Sequence, residues 1–177
     1  NSRLRELLDL GQTQKLRVLG AELVSQGVSP YERTIRIARG KNDGLSPGMA
    51  VLHPRGVVGQ VIEVFGERSD VLLLADPMSA VDVFDQRSRA RGILKGSKYD
   101  ELRFEYVPKT EDFKVGDEVV TSGLDGVYPK GIPVGTVVAV GKAVSQLFLS
   151  ATVRPHVDFS QLEEVAVVIE PGKGASR

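Results

Sequence analysis

The side chains in this chain that could do chemistry are few and widely spaced. Ser122, in the step Thr121-Ser122-Gly123, is a hydroxyl nucleophile in principle, and His53, His156 and several Asp residues could complete a triad with it. A catalytic serine of that kind is presented on a strained turn and activated by an oriented base. The Gly-x-Ser-x-Gly elbow that builds such a turn is missing here. The Thr-Ser-Gly step reads instead as a strand running into a glycine turn. His156-Val157-Asp158 places two metal-ligating groups on one side of an extended segment. A zinc site takes about three or four protein ligands, and the other histidine, His53, lies far away in sequence, which argues against a metal centre. Arg87, Arg89, Arg91, Lys95 and Lys98 form a local basic patch, read as the solvated tip of a hairpin rather than a polyanion site. The glycine-rich run over residues 40–48 lacks the Lys-Ser/Thr ending of a phosphate loop. The sequence therefore points to no catalytic residue, no cofactor and no metal.

Composition narrows the class further. The chain has 177 residues, enough for one or two small domains with real cores. Lys+Arg and Asp+Glu each total 23, so the net charge is zero, and nothing drives the whole molecule onto nucleic acid or an anionic membrane. There is no Cys, which excludes disulfides, thiolate metal sites and cysteine nucleophiles. No apolar run in these residues approaches the roughly 20 of a membrane helix, and none reads as a signal-peptide pattern. The abrupt start Asn1-Ser2-Arg3, inside a helical pattern, suggests a piece of a longer protein.

The elements that must carry these residues are mostly strands. Two stretches resemble each other: Pro47-Gly48-Met49-Ala50-Val51 with Gly56-Val57-Val58-Gly59-Gln60-Val61, and Val115-Gly116-Asp117-Glu118-Val119 with Gly131-Ile132-Pro133-Val134-Gly135-Thr136-Val137. Each is a glycine turn, a β-branched strand, a glycine-rich connection and a Gly-x-Val strand. Gly48, Gly59, Gly116, Gly123 and Gly135 are the turn glycines this pattern nominates. Residues 23–26 and 33–38 read as strands around a turn at 27–31. Residues 70–75, with their Val-Leu-Leu-Leu run, suit a strand buried on both faces, and 80–84 with 90–94 a hairpin. Leu102, Phe104 and Tyr106 alternate with Arg103 and Glu105, a strand with one wet face. Ahead of them Leu4, Leu7 and Leu8 share a helical face. That face fits either a short helix packed on its own domain or the end of a dimerising coiled coil. The expected class is mainly β: a helix end over 1–17, a first small barrel-like domain over 18–78, a second over 79–170, and a disordered tail over 171–177. The last strand has the alternative of crossing back to complete the first domain.

The chain resembles the extracytoplasmic region of the rod shape-determining protein MreC family. The resemblance is carried by residues 1–8, 40–51, 56–61 and 69–77. Its most specific block is Gly116-Asp117-Glu118-Val119-Val120-Thr121-Ser122-Gly123-Leu124-Asp125-Gly126-Val127-Tyr128-Pro129-Lys130-Gly131-Ile132-Pro133-Val134-Gly135. It implies a non-enzymatic scaffold of cell elongation on the periplasmic side of the inner membrane, anchored by an N-terminal helix. It also implies dimerisation through Leu4, Leu7 and Leu8, and in some members filaments. The implied partners are MreD, an elongation-specific penicillin-binding transpeptidase and, indirectly, the actin-like cytoskeleton. The competing classes are a β-barrel oligosaccharide-binding module and a serine hydrolase. A binder of bases or sugars wants stacking aromatics beside a basic groove, and this chain has no Trp, 6 Phe and 4 Tyr.

Overall fold

The computed structural model describes residues 17–29, 32–97, 101–108, 112–141 and 148–169. The expected helix with Leu4, Leu7 and Leu8, the tip residue Lys98 and the tail 171–177 lie outside them. Twelve strands follow in order: β1 Arg17–Ser29, β2 Glu32–Ile37, β3 Ala50–His53, β4 Gly56–Val64, β5 Ser69–Leu73 and β6 Ala80–Asp85. Then come β7 Arg91–Gly96, β8 Leu102–Pro108, β9 Glu118–Thr121, β10 Pro133–Val140, β11 Phe148–Pro155 and β12 Glu164–Ile169. They close into two six-stranded antiparallel barrels, β1-β12-β3-β4-β5-β2 and β10-β11-β8-β7-β6-β9. The chain is mainly β.

Alternation builds the walls. Ile35 and Ile37 are 1% and 0% exposed while Thr34 and Arg36 between and beside them are half-buried. Leu102 and Phe104 are fully buried and Arg103 is exposed. Two readings of the sequence need correction. Residues 27–29 are strand and not turn: β1 runs through to Ser29, pairing with β12 through residues 17–22 and with β2 from Leu23 onward, while the rest of the expected turn, 30–31, lies outside the described residues. A bulge between Leu23 and Ser25 bends it from one partner to the next, the stagger that a small closed barrel needs. β5 is not buried on both faces either. Ser69, Val71 and Leu73 point inward, whereas Asp70 and Leu72 are half-buried on the outer face, where Asp70 accepts two bonds from Arg36. The outer face of β5 therefore stays half wet, unlike that of β12, where Val165, Ala166, Val167 and Val168 are all buried.

Of the two courses open to the last strand, the structure shows the crossing back to the first domain. β12 pairs with β1 and β3, and so belongs to the first barrel. The second barrel, β6 to β11, is inserted between β5 and β12. The two strand orders are then the same ring: β6-β7-β8-β11-β10-β9 against β12-β1-β2-β5-β4-β3. What the second barrel takes from its own first strand, the first barrel takes from the end of the chain.

The repeat seen in the sequence is the matching corner of the two rings. Gly48 N–H donates to Val61 O at 2.7 Å and Gly116 N–H to Val137 O at 2.8 Å. Both glycines have left-handed φ, +94° and +96°, which a β-carbon resists. Gly59 and Gly135, nominated as turn residues, sit inside β4 and β10 instead. Their role is close approach: a β-carbon would lie 2.0 Å from Leu72 O at Gly59 and 2.3 Å from Arg154 O at Gly135. Gly123 keeps its turn, at φ +79°.

Candidate functional site

Ser122 is 6% exposed at the end of β9 and donates from Oγ to Asp82 Oδ1 at 2.9 Å, while accepting Leu124 N–H at 3.1 Å. Neither histidine is among its partners. His53 accepts Arg55 N–H on Nδ1 at 3.1 Å, and His156 Nε2 lies 2.6 Å from Glu118 Oε1. The three triad candidates are thus dispersed over separate hydrogen-bond networks, and Ser122 closes a turn. Among the described residues no group of three or more His, Cys, Asp or Glu side chains could hold a metal ion.

The three arginines of the basic patch are engaged by neighbouring side chains. Arg87 grips Asp117 through Nε and Nη2 at 2.8 and 2.9 Å and Asp112 through Nη1 at 2.8 Å. Arg91 reaches Asp82 at 2.9 Å, and the Arg89 guanidinium lies 5.0 Å from the centre of the Phe84 ring. Beneath Arg87 sits a group the sequence reading missed. Asp85 is fully buried; its Oδ1 accepts Arg87 N–H and Ser88 N–H, and its Oδ2 has no hydrogen-bond partner. Burial first, and then the neighbouring Asp117 carboxylate, push the Asp85 carboxyl up to about 6. The Arg87 guanidinium holds Asp117 well below the usual carboxylate range. Nothing in a string of spaced Asp residues marks one of them as buried; the barrel closure decides it.

The tertiary structure also brings the two histidines together. The β3–β4 turn of the first barrel meets the end of β11 and the short 3₁₀ turn Phe159–Gln161. Gly56 makes this possible, because a β-carbon there would stand 2.5 Å from Pro133 O at the start of β10. The barrels therefore touch backbone to backbone at this corner. His53, Arg55, His156, Val157, Asp158, Gln161 and Leu162 line a cleft of about 300 Å³ beside it. A second cleft of about 290 Å³ on the first barrel holds Arg36, Phe65, Glu67 and Arg68. Its aromatic ring lies 5.3 Å under the Arg36 guanidinium, which is itself bound to Asp70.

Residues 23–169 match the family model described as "Rod shape-determining protein MreC, barrel core". The chain belongs to the MreC family. It is 34% identical to the cell shape-determining protein MreC of Escherichia coli K12 over 163 residues, covering 92% of this chain and 44% of that protein. It spans about half the length of the curated relatives it matches. A solved MreC structure superposes with a TM-score of 0.86 at 36% identity, covering 95% of this chain and 96% of that one. MreC from Pseudomonas aeruginosa does so with 0.81 at 35%, covering 86% and 99%. A structure described as the major periplasmic domain from the cell shape-determining filament MreC gives 0.76 at 25%, covering 86% and 95%. The MreC of a complex with penicillin-binding protein PBP2 from Helicobacter pylori shares the fold, with 0.69 at 18% identity over 88% and 99%. The MreC family is thus one of cell shape-determining proteins, and the double barrel is its fold.

Proposed function

We propose that this chain is the extracytoplasmic part of a non-enzymatic scaffold that maintains rod shape by linking the cytoskeleton and inner-membrane partners to peptidoglycan synthases. The observation that carries the reading is the MreC barrel-core match over residues 23–169, which spans both closed barrels. Closed barrels have no free sheet edge to pair with other chains, so partners would meet them through side-chain faces. The tie of Ser122 to Asp82 and Leu124 speaks for a structural hydroxyl.

The partners of the proposal are copies of this chain, an elongation-specific penicillin-binding transpeptidase, MreD and, indirectly, the actin-like filament. The filament description of one relative and the PBP2 complex of another support the first two. The place of action is the periplasmic face of the inner membrane. Immobilised chain should retain the purified extracytoplasmic domain of an elongation transpeptidase and not that of a division transpeptidase; equal or absent retention of both defeats the reading. Ser122→Ala should restore rod shape in a complementation assay as well as the parent does, and loss of shape with a folded, abundant variant would count against a purely non-enzymatic role.

A further inference from the structure

We infer that the cleft between the barrels is a docking site for a carboxylate-bearing, extended peptide segment of a partner protein, with Arg55 as its principal contact. One wall, His53 and Arg55, comes from the first barrel; the other, His156 to Leu162, leads out of the second. An adjoining cleft of about 300 Å³, lined by Arg154, Pro155 and residues 156–160, shares His156, Val157 and Asp158 with the first. Together they make a track rather than a round pocket. The inference is independent of the scaffold reading above.

The state of the polar groups decides the sign of the ligand. Each acid at the cleft already accepts two hydrogen bonds from neighbouring groups of this chain. Glu118 accepts His156 Nε2 through Oε1 at 2.6 Å and Thr136 Oγ1 through Oε2 at 2.7 Å. Asp158 Oδ1 accepts Ser160 N–H at 3.1 Å and Ser160 Oγ–H at 2.7 Å. The donors are not satisfied. Among the described residues the Arg55 and Arg154 guanidinium groups and the Gln161 carboxamide have no hydrogen-bond or ion-pair partner. Donors of this kind want an acceptor-rich anion, and the planar fork of arginine matches a carboxylate with two parallel bonds. Asp158 and Glu118 close by disfavour a polyanion such as nucleic acid or a charged lipid surface. Val157 and Leu162, 2% and 9% exposed, give the track an apolar floor suited to the aliphatic neighbours of a Glu side chain.

The test is a titration of isotope-labelled chain with the acetylated, amidated peptide Ala-Glu-Val-Glu-Leu-Ala, read by amide chemical shifts, which report even millimolar binding. Saturable shifts are expected at residues 53–56 and 154–162. Arg55→Ala should weaken the affinity by about tenfold, the scale of one lost charge-assisted pair, and Arg55→Lys by less. Lys130→Ala, an exposed cation on another loop, should leave it within about twofold. The inference is overturned by absent or scattered shifts, by equal binding of the peptide with Gln for Glu, or by equal loss in Lys130→Ala. Arg55-dependent binding to vesicles of anionic lipid without peptide binding overturns it as well. The same spectra show whether each variant is folded.

Discussion

At the scale of single residues, the carboxyl pair of Asp85 and Asp117 makes the sharpest claim. Asp85 is held above its unfolded value and Asp117 below it. A raised carboxyl stabilises the fold fully below its unfolded value of 3.8 and loses that contribution as pH rises through about 6. A depressed one contributes above its unfolded value and is lost as pH falls through its folded value. From this pair, then, stability is greatest in mildly acidic solution and declines toward neutrality, where Asp85 must ionise in a dry site. Asp85→Asn keeps an oxygen for Arg87 N–H and Ser88 N–H and puts a neutral donor toward Asp117. It should raise stability near pH 7.5 by on the order of 1–3 kcal/mol and flatten the change between about pH 5 and 7.5. Urea unfolding at the two pH values measures both; a destabilised variant with the parent's pH slope would show that Asp85 is ionised in the fold.

At the scale of elements, the strands and the repeat were legible and their bounds largely so. The alternation of Ile35 and Ile37 with Thr34 and Arg36 places β2, and Val-rich steps after Gly59 and Gly135 place β4 and β10. The sequence marks these two glycines as special without saying why, because the reason is a carbonyl on a neighbouring strand. Gly59→Val and Gly135→Val should each lower stability by about 1–3 kcal/mol, the range for over-filling a packed site. A chain whose thermal melt is unchanged by either would break the equivalence of the two corners. The run from Gly27 resembles a turn in sequence, yet Gln26 to Ser29 pair in regular register with Ile35 to Glu32 of β2, a long-range pairing that local turn signals do not reveal.

At the scale of the whole molecule, the inserted second barrel has a consequence for folding. All of its strands lie within residues 80–155, whereas the first barrel waits for β12 from far along the chain. Removing residues 164–177 should open the first barrel at the unpaired edges of β1 and β3, while the second keeps its cooperative melt. Amide exchange, read barrel by barrel, would separate the two; simultaneous loss of protection in both would make the molecule one folding unit. The proposed association through Leu4, Leu7 and Leu8 belongs to this scale too. Extended by upstream heptads, the chain should form a firm dimer that Leu4→Glu with Leu8→Glu dissolves, as followed by analytical ultracentrifugation. Undiminished dimerisation of that variant would give the helix to its own domain instead.

Hydropathy period, glycine spacing and the block from Gly116 to Gly135 by themselves determined a β class, a doubled unit and a family, because each is a local property carried by neighbours in sequence. What the tertiary structure decided was every relation between distant residues. It decided between the two courses open to the last strand, placing β12 in the first barrel, where pairing with both β1 and β3 closes the ring. It buried Asp85 against Asp117 and set His53 and His156 on one cleft. Burial, ionisation and the shape of a cleft depend on which surfaces close on each other, and no spacing along the chain encodes that directly.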